Sequence, residues 1–173
     1  MEWIESGGGP LVVVPQVRLG RWCGVYRKSA DGMSDYDRAC EIIDEIAIIC
    51  VADTEILVLG DEPFRTTWLP DVSGGFLVRW IYAINEKSVI DFVGSTGLGR
   101  VFDEHDSTGN LLFTTSGACV LFDSAEPGDV IRGASMALVL ASGTYAVKSA
   151  IVNPSTEIRL LIHRLRLIAP PSV

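Results

Sequence analysis

The chain has 173 residues, 48% of them apolar and four of them Trp, with a formal charge of −8. That is enough apolar mass to bury a core in one domain and too much for a disordered chain. The longest apolar run, residues 46–52, is far short of the roughly 20 residues a membrane-spanning helix needs, and the acidic balance argues against nucleic acid, which demands a basic footprint.

In chain order, residues 3–5 read as a short strand. The Gly7-Gly8-Gly9-Pro10 run breaks it, and a buried strand resumes over 11–14, ending at Pro15. Residues 16–33 show no period, with Trp22 as the expected anchor. Ser34 is placed to cap a helix, with Asp35 and Asp37 in the first turn where the helix dipole favours anions. Tyr36, Ala39, Cys40 and Ile43 then recur at helical spacing and predict one apolar face.

From Ile46 the pattern turns to strands. Residues 46–51 and 55–59 predict a hairpin around Asp53-Thr54, followed by a turn at Gly60-Asp61-Glu62-Pro63. Gly74-Gly75 precedes a strong strand over 76–83, containing Trp80, which is expected to be buried. Asn85 caps a short helix over 86–93, with Val89, Ile90 and Phe92 facing inward. Residues 94–110 read as a glycine-rich polar connection. Further strands are expected at 111–115, 118–122, 136–140, 145–152 and 157–167, with a turn at Asn153-Pro154-Ser155; in the last, Ile158, Leu161, Ile162 and Leu165 also fit helical spacing, and the short turn after a clear strand favours β. Residues 6–15 and 116–124 both place a Ser-Gly turn before an apolar strand, an echo that leaves open two similar halves, 1–93 and 111–168. The fold expected is a strand-rich α+β domain over 1–168, with two packed sheets or two similar β halves, two short helices, and a frayed tail at 169–173.

Charge and cysteine usage add to this. Residues 31–62 carry ten acids against Arg38 alone, −9 in total, while 132–166 lean basic through Arg132, Lys148, Arg159, Arg164 and Arg166. In a helix continuing past residue 40, Asp37, Glu41, Asp44 and Glu45 fall at i, i+4, i+7 and i+8 and share the outward stripe. Such like-charge spacing disfavours an isolated helix and suits a basic partner. Asp61 and Glu62 extend the acidic segment. The four Cys, at 23, 40, 50 and 119, form no C-x-x-C pair. Glu2 and Glu5 stand where a secretory leader carries cations. These features point to a reducing, cytoplasmic setting with four free thiols, no metal, and Cys40 and Cys50 in the core.

No catalytic constellation emerges. Gly94, Gly97 and Gly99 lack the Lys-Ser/Thr of a phosphate loop. Asp103-Glu104-His105-Asp106 reads as a solvated charged loop, since consecutive extended residues point to opposite sides. His163 is of the type that serves as a general base, but no nucleophile motif accompanies it, and a structural histidine is the better reading. No cofactor site is expected.

Several phrases carry a resemblance when taken together: Trp3-Ile4-Glu5-Ser6 with Gly8-Gly9-Pro10; Asp35-Tyr36-Asp37-Arg38-Ala39-Cys40; Leu57-Val58-Leu59-Gly60-Asp61-Glu62-Pro63; Leu77-Val78-Arg79-Trp80; Leu121-Phe122-Asp123-Ser124-Ala125; and Leu161-Ile162-His163-Arg164-Leu165. In their order and spacing, over residues 3–166, the chain resembles the immunity protein 21 family of bacterial polymorphic toxin systems. The resemblance implies a protein that neutralises a cognate toxin by direct, stoichiometric binding. Trp3, Pro10, Tyr36, Trp80 and Phe122 are then core candidates. The acids Asp37, Glu41, Asp44, Glu45, Asp61 and Glu62 are the partner-binding candidates, and a basic, nuclease-like toxin domain is the partner they suit. The rival readings are an enzyme with an Asp/His cleft and a non-catalytic adaptor module.

Overall fold

The computed structural model describes residues 1–60, 62–95, 97–105 and 107–170. Among these, ten strands form two five-stranded sheets. The first runs in the order β2 (Ala47–Val51), β3 (Thr54–Leu59), β1 (Leu11–Pro15), β7 (Cys119–Asp123), β8 (Ser135–Leu138). The second runs β4 (Thr66–Asp71), β5 (Gly74–Ala83), β10 (Ile158–Ala169), β9 (Gly143–Ser155), β6 (Thr108–Thr115). Every pairing is antiparallel. The fold is α+β and strand-rich, with two packed sheets.

Alternation along the strands explains the layers. Leu11 and Val13 of β1 meet Leu57, Leu77, Tyr145, Val147 and Leu165 in a core between the sheets. Val12 and Val14 point the other way, under Trp22 and Ala39, where a 3-10 turn (Gln16–Arg21) and α1 (Asp35–Cys40) cover the first sheet. The outer face of the second sheet carries Phe76, Val78, Leu160 and Ile162. It is covered by α2 (Glu86–Ser95) through Val89 and by α3 (Leu98–Asp103) through Leu98, Val101 and Phe102. Strands clad on both faces read as continuous apolar runs, as β1 does, because neither side meets water.

Local chemistry sets the element ends. Ser34 and Asp37 form a capping box at the start of α1. The Oδ1 of Asn85 accepts the N–H of Ser88 at the start of α2. The β2–β3 hairpin closes on Ala52 and Asp53, both left-handed at φ 46° and 62°. Paired left-handed residues match the twist of the strands.

Several expectations need correction. Helix α1 stops at Cys40, with Glu41 as its C-cap. Ile43 is therefore 87% exposed and not part of an apolar face. Cys40 and Cys50 are exposed, and Cys119 is the buried thiol. Trp80 is half-buried, as are Trp3, Pro10 and Tyr36, while Phe122 is fully buried. Residues 3–5 supply only a bridge between Ile4 and Thr66. Ile90 of α2 is exposed while Val89 is buried. The 94–110 connection contains α3 and the start of β6. Strand β9 runs on through Pro154 to Ser155, so the turn is Thr156-Glu157. Ala169 belongs to β10 and pairs with Thr144. The two echoing segments are hydrogen-bonded neighbours, with Leu11 opposite Asp123 and Pro15 opposite Cys119. Each sheet draws strands from both 1–93 and 111–168.

Candidate partner-binding surface

Apart from Asp53 in the β2–β3 turn and Asp61, the acids of 31–62 divide into two sets by what they hold. Asp31 accepts from the Ser29 hydroxyl, the Met33 N–H and Arg38. Those donors, the Ser29 hydroxyl above all, hold its carboxyl down at about 2. Asp35 accepts the Cys23 N–H at 2.7 Å. Asp37 accepts the Ser34 N–H at 2.8 Å, and that backbone bond lowers its pKa. Glu55 accepts the Thr114 N–H at 2.6 Å. These four carboxylates organise their own loops and strands.

Glu41, Asp44, Glu45 and Glu62 differ. Among the described residues their side chains make no hydrogen bond or ion pair. They do not lie on a helical stripe, because the chain leaves helical geometry after Cys40. They lie in the stretch 41–46 and at Glu62, which one buried cation ties together. Arg79 of β5 is 1% exposed. Its Nη1 donates to the Glu45 carbonyl at 2.9 Å, and its Nη2 donates to the carbonyls of Gly60 at 3.1 Å and Glu62 at 2.5 Å. The planar guanidinium supplies donors in a fixed fork, which a lysine does not. Gly60 permits the close approach: a side chain there would stand 2.5 Å from the Asp44 carbonyl oxygen. Asp61 lies outside the described residues.

Ile43 sits among these acids at 87% exposure, between Glu41 and Asp44. The 41–46 stretch thus presents an exposed apolar side chain beside carboxylates that have no partner among the described residues. Sequence reasoning placed Ile43 in the core and missed the role of Arg79. A signal for the second was present: Arg79 is the one charged residue in the apolar run 76–83.

The remaining candidates behave differently. His163 is fully buried, hydrogen-bonded through Nδ1 to the Ser149 hydroxyl at 2.7 Å. Burial, and secondarily the charge of Arg79, push its pKa well below the usual 6.5. No substrate can reach it in this arrangement. The 103–105 segment ends α3 and contributes Asp103 to an ion pair with Arg164; Asp106 lies outside the described residues. No group of three or more metal-ligating side chains occurs among the described residues, and no helix among them is long and apolar enough to cross a membrane. Trp3 and Trp80 meet edge to face at 5.6 Å, with Arg65 over both rings.

Compared with known families, residues 2–158 match the family model of immunity protein 21. The chain belongs to the immunity protein 21 family. No match is found among curated proteins or among solved structures. In this chain the quoted phrases fall on structural elements: Asp35-Tyr36-Asp37-Arg38-Ala39-Cys40 is α1, and Leu77-Val78-Arg79-Trp80 is the centre of β5 with its buried arginine. The match ends short of Leu161-Ile162-His163-Arg164-Leu165 in β10.

Proposed function

We propose that this protein binds a cognate bacterial toxin in the cytoplasm and neutralises it by stoichiometric occlusion. Membership of an immunity protein family over residues 2–158 is the observation that carries this reading. The docking surface we assign is the pair of loops carrying Glu41, Ile43, Asp44, Glu45 and Glu62, with Asp61 between the last two in sequence. Asp37 adds its charge to the field from the capping box. Carboxylates left without partners in the folded chain have charge to offer a basic surface, and complementary charge accelerates encounter and fixes orientation. An exposed aliphatic side chain beside charged residues has the make-up of an interface anchor. The partner that suits this surface is a basic toxin domain, of the kind that acts on nucleic acid. No catalytic step is assigned to the immunity protein itself.

The test is a titration of purified toxin activity with the immunity protein. Occlusion requires about one equivalent for full protection. Full protection at a small fraction of an equivalent overturns the proposal, because it demands turnover.

A further inference from the structure

The chain carries a second charged feature, opposite in sign to the acidic loops and on the outer face of the second sheet. In the β9–β10 ladder Arg164 lies opposite Lys148, and Arg166 lies opposite Ala146. Alternation puts Arg164, Arg166 and Lys148 on the face that α2 and α3 cover. There they line a cleft of about 110 Å³ together with Phe102, Asp103 and Ser107 from α3 and the segment after it.

The charges do not balance. Arg164 is held, its Nη1 donating to Asp103 Oδ1 at 2.9 Å and its guanidinium lying over the Phe76 ring at 5.5 Å. Lys148 and Arg166 are exposed, and among the described residues neither makes an ion pair or side-chain hydrogen bond. Like charges directly opposite on a ladder are destabilising. Among the described residues that line the cleft, one carboxylate against three cations leaves a surplus of two positive charges, in a chain whose total is −8. Among the described residues, no hydrogen bond or ion pair of the folded chain uses the charges of Lys148 and Arg166. A bound anion would gain from both, and from the pre-set Arg164 fork.

We propose that this cleft binds an oxyanion, with phosphate as the fitting ligand. A phosphate carries roughly −1.5 to −2 charge at neutral pH and several strong acceptor oxygens, which matches the surplus. Charge-assisted bonds from Arg and Lys to such oxygens are the strong class. The Ser107 hydroxyl is available as a further donor. The volume admits a tetrahedral oxyanion with some of its water and excludes a folded chain, so the ligand is free phosphate or the phosphoryl group of a small molecule.

The experiment uses the full chain, with inorganic phosphate and AMP as probes, against chloride at matched ionic strength. Calorimetric titration and the thermal midpoint are both read. Phosphate is expected to raise the midpoint and to bind in a saturable way. If AMP binds more tightly than phosphate, the physiological source is a small phosphoryl ester; if less tightly, it is free phosphate. Lys148→Gln and Arg166→Gln each remove an exposed, unpaired cation. Each is expected to weaken phosphate binding by about tenfold and to leave the midpoint in chloride equal or higher. No saturable phosphate binding by the wild type overturns the proposal, as does binding unchanged in both variants. A variant that fails to fold in chloride also counts against it, since that would give these cations a structural role.

Discussion

The Ser149 hydroxyl lies 2.7 Å from Nδ1 of His163, with both side chains buried between the sheets. Burial first, and the neighbouring Arg79 charge second, hold the His163 imidazole neutral. In the unfolded chain the same histidine takes a proton near its usual value, about 6.5. Below that value the unfolded state binds a proton that the native state does not, so stability falls as pH falls from about 6.5 toward the depressed native value. The loss approaches about 1.4 kcal/mol per pH unit within that window. The urea midpoint is therefore expected to drop when the wild type is moved from neutral pH to just above the carboxylate range. His163→Gln should be less stable at neutral pH and should lack this drop. The same drop in the variant would assign the acid sensitivity to other groups.

Arg79 joins two loops through carbonyl oxygens, with its guanidinium withdrawn from water. Hydrogen bonds to a charged group contribute roughly 1.5–3 kcal/mol each. Arg79→Lys keeps the charge but has neither the reach nor the fork to hold the Glu45 and Glu62 carbonyls together. The expected cost is at least about 2 kcal/mol in denaturant unfolding, with faster amide exchange in residues 42–46. A change below about 0.5 kcal/mol, within the range of ordinary surface substitutions, would mean that the loops hold each other without it.

What the sequence revealed and what it hid follow from the range of the interactions. The β2–β3 hairpin, β5 and the Ser34 and Asn85 caps depend on neighbours within a few residues, and their patterns were readable; β10 also fits helical spacing, and only the short turn before it pointed to a strand. Strand β4 was not, because Pro70 interrupts it; an edge strand tolerates a proline whose missing N–H would face outward. Helix α3 was hidden by Gly97 and Gly99, and its Leu98, Val101 and Phe102 earn their burial only against the second sheet. The end of α1 was misjudged because Ile43 sits at the right spacing for a fourth apolar position, while the chain has already turned at Glu41. The acids were readable as a charged segment. Their sorting into carboxylates that cap and carboxylates that stay unpaired depends on Cys23, Thr114 and Arg79, which lie far away along the chain.

The thiols give a direct check on the corrected core. Cys40 and Cys50 are exposed, Cys23 is half-buried, and Cys119 is buried with its pKa pushed up to about 11 by desolvation. At mildly alkaline pH the native protein should react with a thiol reagent rapidly at Cys40 and Cys50 and more slowly at Cys23. Cys119 should stay protected until the chain unfolds, because the thiolate is the reacting species. Cys119→Ala should remove the protected fraction alone. Rapid reaction of all four in the native state would contradict the burial of Cys119.

Trp80 packs its ring edge to face against Trp3, and Arg65 lies 5.2 Å from its centre. Full burial of a Trp would make Trp80→Ala cost roughly 3–5 kcal/mol. At half burial the expected loss is about 1.5–3 kcal/mol on the same scale. A double-mutant cycle with Trp3→Ala should return a coupling of about 0.5–1.5 kcal/mol, the value of an aromatic pair beyond its buried area. Strict additivity would show that the two rings are neighbours without being energetic partners.

The surface assigned to toxin docking makes two separable predictions, because its exposed Ile43 and its acids act through different physics. Ile43 is 87% exposed and contributes little to folding, so Ile43→Ser should leave the denaturant midpoint within about 0.5 kcal/mol of wild type. If Ile43 is an anchor, the same change should weaken toxin binding by about tenfold or more, through a faster off-rate. Neutralising Glu41, Asp44 and Glu62 to their amides should act mainly on the on-rate and reduce its dependence on salt, since exposed charges steer an approaching partner and are screened within about 10 Å at moderate ionic strength. Rate constants measured across a salt series separate the two effects. If the Ile43 variant binds with wild-type off-rate and the amide variant keeps the full salt slope, the toxin docks elsewhere. The unpaired carboxylates would then be a solvated face that keeps an acidic protein soluble.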